Sequence, residues 1–129
     1  MKNLLLIITL TFLVFVSGCI SQERKIEEST ELNSFAKCLR DSGLKMYGSY
    51  TCAICKKQRS LFDSSFEIIG EVECHPRGEN PETERCLKMD IQKTPTWILE
   101  KDEIEIKRLE GYQTLENLAE LSGCQIMGA

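Results

Sequence analysis

The chain has 129 residues, 42% of them hydrophobic and 28% charged, with a net charge of −4. That length leaves room for one domain, and an acidic balance argues against nucleic acid as a partner, since phosphate binding needs a basic face. Seven cysteines in so short a chain point to an oxidising compartment.

Met1 to Cys19 reads as an export signal. Lys2 supplies the positive start, and Leu4 to Val16 is apolar apart from Thr9 and Thr11. The run is short for a membrane span and suits a signal h-region. It ends in Val16-Ser17-Gly18-Cys19, which resembles the lipobox of exported lipoproteins. The resemblance implies a signal peptide over 1–18 and a diacylglyceryl group on Cys19, and two acyl chains hold a protein on a membrane stably. An uncleaved anchor or a plain secretory signal are the alternatives. All three place the domain outside the cytoplasm, at the extracytoplasmic face of the cell membrane or in the periplasm. Removing Cys19 from the count leaves six cysteines, an even number. The polar stretch that follows makes 19–29 a tether.

Helical spacing begins near Thr30, with Leu32, Phe35, Ala36 and Leu39 on one face. Ser29 or Thr30 can cap this helix and Gly43 suits its end. Cys38 lies on or beside the apolar face, where a lone cysteine often acts as a small hydrophobe. Leu44 to Tyr47 is apolar enough for a short buried strand. Then comes Thr51-Cys52-Ala53-Ile54-Cys55, followed from Lys56 to Phe62 by residues that favour helix. The pair thus sits where a strand turns into a helix N-terminus, whose free N–H groups lower a thiol's pKa. Cys52 is the expected attacking or attacked sulfur and Cys55 the resolving one. Half of a zinc site and an inert bridge are the other readings of C-x-x-C. Lys56 and Lys57 should point to solvent.

Phe66 to Cys74, with Ile68, Ile69 and Val72, reads as a second strand. A turn-rich loop follows, Cys74-His75-Pro76-Arg77-Gly78-Glu79-Asn80-Pro81. Asn80 and Pro81 form a good N-cap and N1 pair for a helix to Met89. Cys86 falls inside it, so a Cys74–Cys86 bridge would staple the loop to its strand, stabilising by roughly 3 kcal/mol. A second redox pair is the alternative. A zinc site using His75 is disfavoured by spacing, and no metal site is expected. Next, Thr94-Pro95-Thr96-Trp97-Ile98-Leu99 opens a strand, with Pro95 at its first residue. Lys101-Asp102-Glu103 makes a turn, and Ile104 to Leu109 alternates as a half-buried strand. The last helix is capped by Thr114 and ended by Gly123; 125–129 is a loose tail.

The resulting order is helix, strand, C-x-x-C helix, strand, helix, Thr-Pro strand, strand, helix. It is the thioredoxin-like order, an α/β fold with a central mixed β-sheet flanked by helices and an extra N-terminal helix, spanning 30–124. The segments Ala36-Lys37-Cys38-Leu39, Lys45-Met46-Tyr47-Gly48, Val72-Glu73-Cys74, Asn80 to Cys86, Thr94 to Ile98 and Leu118 to Cys124 resemble the thioredoxin-like domains that accompany vitamin K epoxide reductase homologues. The resemblance implies that Cys52 and Cys55 exchange disulfides with secreted or membrane protein thiols. It implies reoxidation by a quinone-linked membrane protein, and no cofactor beyond the pair itself. It makes Pro95 a cis-proline facing the pair, with Thr94 and Pro95 contacting substrate, and Cys74–Cys86 and Cys38–Cys124 structural bridges. Two departures bear on mechanism. Thr51 stands where relatives often carry an aromatic, and Ala53-Ile54 supplies no histidine between the cysteines. Met46 occupies the position where cytoplasmic thioredoxins carry a buried acid. The direction of electron flow is therefore open between an oxidase and a lipoprotein reductase or isomerase, with a stapled, non-enzymatic binding lipoprotein as the third reading.

Overall fold

The computed structural model describes residues 29–126. The chain divides into a unit ending at Thr30 and a unit Glu31–Ala129, and the second carries every described element apart from the first two residues of the N-terminal helix. The export signal, Cys19, the tether up to residue 28 and the tail from 127 lie outside the described residues.

Helix α1 covers residues 29–41. Ser29 and Thr30, expected as its cap, are already helical. Its stripe of Phe35, Ala36 and Leu39 is buried, as the 3.6-residue period requires. Gly43 follows with φ +89, and a Cβ there would lie 2.2 Å from the Glu100 carbonyl oxygen. Only glycine fits that turn and that approach together.

Strand β1, Leu44–Gly48, is central. It pairs in parallel with β2, Glu71–Glu73, and antiparallel with β3, Thr96–Lys101. Strand β4, Ile104–Glu110, pairs antiparallel with β3, giving the order β2-β1-β3-β4. Side chains alternate across such a sheet. Met46 and Trp97 join Phe35, Leu39, Phe62, Leu118 and Leu121 in one core. Their neighbours Tyr47 and Ile98 join Val72, Cys86 and Met89 in another. Helix α2, Ala53–Ser60, and α5, Leu115–Ser122, belong to the first side, and α4, Thr83–Lys88, to the second. As expected, Thr114 caps α5 by accepting from the Asn117 N–H at 3.3 Å, and Gly123 ends it in the left-handed conformation.

Three expected elements differ. The strand expected from Phe66 is helical at first: α3, Phe66–Ile69, follows a 3-10 turn, Asp63–Ser65. Phe66 and Ile69 are three apart and both pack on the first core, a helical spacing. Gly70, at φ +74, ends the helix and leaves only Glu71–Glu73 to pair with β1. Asn80 does not cap α4; it takes φ +48, and Glu82 stands at the N-cap. The Glu82 N–H donates to the Glu73 carbonyl at 2.8 Å, so the chain reaches back to β2 before it can coil. Finally, β4 is not half-buried. A bulge moves the register from Leu99↔Lys107 to Glu100↔Glu105, leaving Ile106 without a partner across the pair. Ile104 and Ile106 are 69% and 59% exposed. The bulge also brings Glu105 to Arg108, with which it forms an ion pair. A bulge and exposed charges both blunt a sheet edge against further pairing.

Two disulfides staple the fold. Cys38–Cys124 joins α1 to the residue after α5's glycine cap, across a sequence separation of 86. Cys74–Cys86 ties the end of β2 to α4, across 12. Under α4 lies a polar group that the sequence pattern does not reveal. Glu100, 6% exposed, accepts from the Tyr47 hydroxyl and from Arg85 Nη2 at 2.9 Å. Arg85 Nε also donates to the Tyr47 oxygen at 3.1 Å. Burial, with the Glu100 carboxylate beside it, pushes the Tyr47 hydroxyl well above its usual range, so it remains a donor. Arg85→Ala should destabilise the protein by about 2 kcal/mol. That is below the usual cost of stranding a buried charge because Lys45, at 3.6 Å from Glu100, remains. Urea denaturation followed by fluorescence of Trp97, the single, fully buried tryptophan, measures it. Arg85→Ala combined with Glu100→Gln should recover part of the loss.

Candidate functional site

The chain leaves β1 at Gly48, turns through Ser49, Tyr50 and Thr51, and enters α2 at Ala53. Cys52 stands at the N-cap with φ −81 and ψ 115. Its Sγ takes the place of the usual capping oxygen and accepts from the Cys55 N–H at 3.1 Å. The helix starts three residues earlier than the sequence suggested, so Cys55 lies in its first turn, facing inward.

The two sulfurs have different surroundings. Both are free thiols; Cys52 is partly exposed and Cys55 is fully buried. Burial, reinforced by the neighbouring Cys52 sulfur, pushes the Cys55 thiol up to about 12. Partial burial pushes Cys52 the same way, but hydrogen bonds from the Cys55 side chain and from the Cys55 and Ile54 backbone outweigh it. Its thiol therefore ionises below the ordinary cysteine range. Met46 is buried in the same core as Cys55 and adds no charge there.

Thr94 and Pro95 reach the pair from the start of the neighbouring strand β3, where Thr96 lies opposite Tyr47. The Thr94–Pro95 bond is cis. The Cys52 thiol donates to the Thr94 carbonyl at 3.4 Å. The Pro95 carbonyl in turn accepts from the Gly111 N–H at 2.7 Å. Thr96 Oγ1 donates to the Lys93 carbonyl at 2.8 Å, which tightens the same loop.

Several residues that the sequence did not single out hold this arrangement. Arg59 places its guanidinium on Glu71, at 2.7 and 3.0 Å, and donates to the Ser49 carbonyl at 3.0 Å. Glu73 accepts from the Tyr50 N–H at 2.9 Å and the His75 N–H at 2.7 Å. Gln58 is wholly buried and bonds the backbone of Gln113 at both its atoms. One signal for it was available: with Cys55 and Phe62 it forms a stripe at helical spacing, and a polar residue in that stripe needs a partner. Lys57 is exposed, as expected, and places its ammonium 4.6 Å from the Tyr112 ring centre. His75 packs edge-on against Tyr50 at 5.1 Å, and its Nδ1 accepts from the Arg77 N–H at 3.1 Å. Cys74 is committed to its disulfide. Among the described residues no three His, Cys, Asp or Glu side chains converge as a metal site.

No family model matches the sequence. Over 94 residues, 70% of its length, the chain is 35% identical to the thiol-disulfide oxidoreductase LTO1 of Arabidopsis thaliana. The domain is thioredoxin-like. The chain spans about a quarter of that relative, 24% of its length.

Proposed function

We propose that this protein is a thiol-disulfide oxidoreductase working through Cys52 and Cys55. Similarity to a thiol-disulfide oxidoreductase supports the general role. The observation that carries it is the asymmetry of the pair. One sulfur is reachable and favoured as thiolate, and its partner is sealed and held as thiol three residues away. Disulfide exchange needs an entry sulfur and a resolving sulfur in that relation.

The cycle begins with the Cys52–Cys55 disulfide. A substrate thiolate attacks Cys52 Sγ; the bond to Cys55 breaks, and Cys55 leaves and takes up a proton. A second substrate thiolate attacks the substrate sulfur of the mixed disulfide and releases Cys52 as thiolate. The substrate has lost two electrons and the pair holds them as a dithiol. A quinone-linked membrane protein of the vitamin K epoxide reductase kind then removes them. Thr94, half-buried beside Cys52, is the loop residue open to an incoming chain, and the fully buried Pro95 supports it from behind. An interaction that stabilises the Cys52 thiolate stabilises the reduced form and makes the pair an oxidant. The oxidising direction is therefore preferred to reduction or isomerisation, and both to a purely binding role.

The setting we propose is the extracytoplasmic face of the cell membrane, with secreted or membrane protein thiols as substrates. No described helix is long and apolar enough to cross a membrane, and lipidated Cys19 would supply the anchor. Tethering raises the effective concentration of the domain near a membrane partner. Equilibration with glutathione buffers tests the direction. We expect a potential above about −200 mV; a value near the −270 mV of thioredoxin would reverse the direction.

A further inference from the structure

Gln58 is the only fully buried polar side chain on α2, and it makes no contact with either thiol among its hydrogen bonds. Its Nε2 donates to the Gln113 carbonyl at 3.0 Å and its Oε1 accepts from the Gln113 N–H at 2.8 Å. A side-chain amide thus pairs with one residue's backbone as a neighbouring strand would. Gln113 carries the clamp further, its own amide donating to the Glu110 carbonyl at 3.0 Å and accepting from Asn117 at 3.0 Å. The segment so fixed, Gly111 to Gln113, bonds the Pro95 carbonyl through the Gly111 N–H at 2.7 Å. Thr94, next to Pro95, holds its carbonyl 3.4 Å from Cys52 Sγ. Cys52 and Gln58 belong to the same helix and its cap, which closes the path.

The contacts form a ring: Cys52, α2, Gln58, Gln113, Gly111, Pro95, Thr94 and back to Cys52. We infer that Gln58 is a positioning residue for disulfide exchange, holding the Thr94–Pro95 loop at the distance from Cys52 that leaves one line of approach open. Exchange at sulfur is an in-line displacement, with attacking, central and leaving sulfurs nearly collinear. A carbonyl in contact with Cys52 Sγ blocks one side, so the loop's position decides which lines remain. Small misplacements of a reacting group are costly in such steps. This role rests on the exchange activity proposed above and says which residue outside the pair sets its geometry.

The test uses the full chain and Gln58→Met, which keeps the volume and removes both bonds. Two rates are compared. Alkylation of Cys52 by iodoacetamide, a small electrophile that approaches from any open side, should stay within about twofold of the unaltered protein. Oxidation of a two-cysteine peptide by the Cys52–Cys55 disulfide should fall about tenfold. If both rates fall together, or neither falls, the positioning role is overturned. Cys55 must stay closed to iodoacetamide; its labelling in the variant would show a loosened core and a merely structural role. A second measurement needs no variant: hydrogen exchange of the Gln113 backbone amide in the unaltered protein. Strong protection is expected; exchange at the rate of an open loop would overturn the clamp. Failure of the activity itself shows separately, as an unaltered protein whose Cys52–Cys55 disulfide leaves the peptide reduced while its Gln113 amide is protected.

Discussion

Replacing Cys52 with serine should lower disulfide exchange at least a thousandfold, the order seen when an enzyme's nucleophile is removed. The loss follows from position: Cys52 is the one free sulfur among the described residues that a third sulfur can reach. Cys55→Ser should act differently. Given a substrate disulfide, the Cys52 thiolate still attacks it and expels one substrate thiol, but without the Cys55 sulfur nothing inside the protein displaces the other, so the mixed disulfide accumulates and can be isolated. The pH dependence of labelling separates the two thiols in the unaltered protein. Cys52 is lowered, so its alkylation should rise through a midpoint below that of free cysteine. Cys55 keeps its proton up to about 12 and should stay silent across that range. Equal labelling of both sulfurs, or exchange that survives Cys52→Ser, would end the enzymatic reading.

The largest expected loss of stability comes from Cys38→Ala with Cys124→Ala. This bridge closes a separation of 86 residues, and on the loop-entropy account a ring of that size stabilises by about 4.5 kcal/mol. That is a large part of the stability of any domain this size, and the thermal midpoint should fall by about 20 °C or more. Removing Cys74–Cys86, with a separation of 12, should cost about 3 kcal/mol. Denaturant curves on the unaltered protein and both double variants give the order. A larger loss from the short ring would mean that the loop between Cys74 and Cys86 supports the fold through contacts rather than chain entropy. His75 and Glu73, which meet the Cys52 loop through Tyr50, would be the first place to look.

Much of this was legible in the chain. The Cys52 motif after an apolar strand, Thr114 and Gly123 bounding α5, and the Leu32–Leu39 stripe each carry local chemistry that tertiary contacts left unchanged. What failed was governed by contacts far along the chain. Asn80 is a good cap by type, but the pull of Glu73 on Glu82 moved the helix start. Ile104 and Ile106 alternate as a half-buried strand should, but a bulge forced by pairing with Leu99 and Glu100 broke the alternation. Phe66 to Ile69 fits strand and helix alike, and only the Gly70 turn decides. The buried Tyr47–Glu100–Arg85 group could not be read, because its members lie up to 53 residues apart. Gln58 fell between these cases: its spacing was visible, its partner was not.

Thiol mapping by mass spectrometry after equilibration in graded glutathione buffers tests the central claim most directly. One pair, Cys52 and Cys55, should pass between disulfide and dithiol, with glutathione caught on Cys52 alone and both structural bridges unchanged throughout. Titration of Cys74–Cys86 instead, or a Cys52 that never bonds to Cys55, would contradict it.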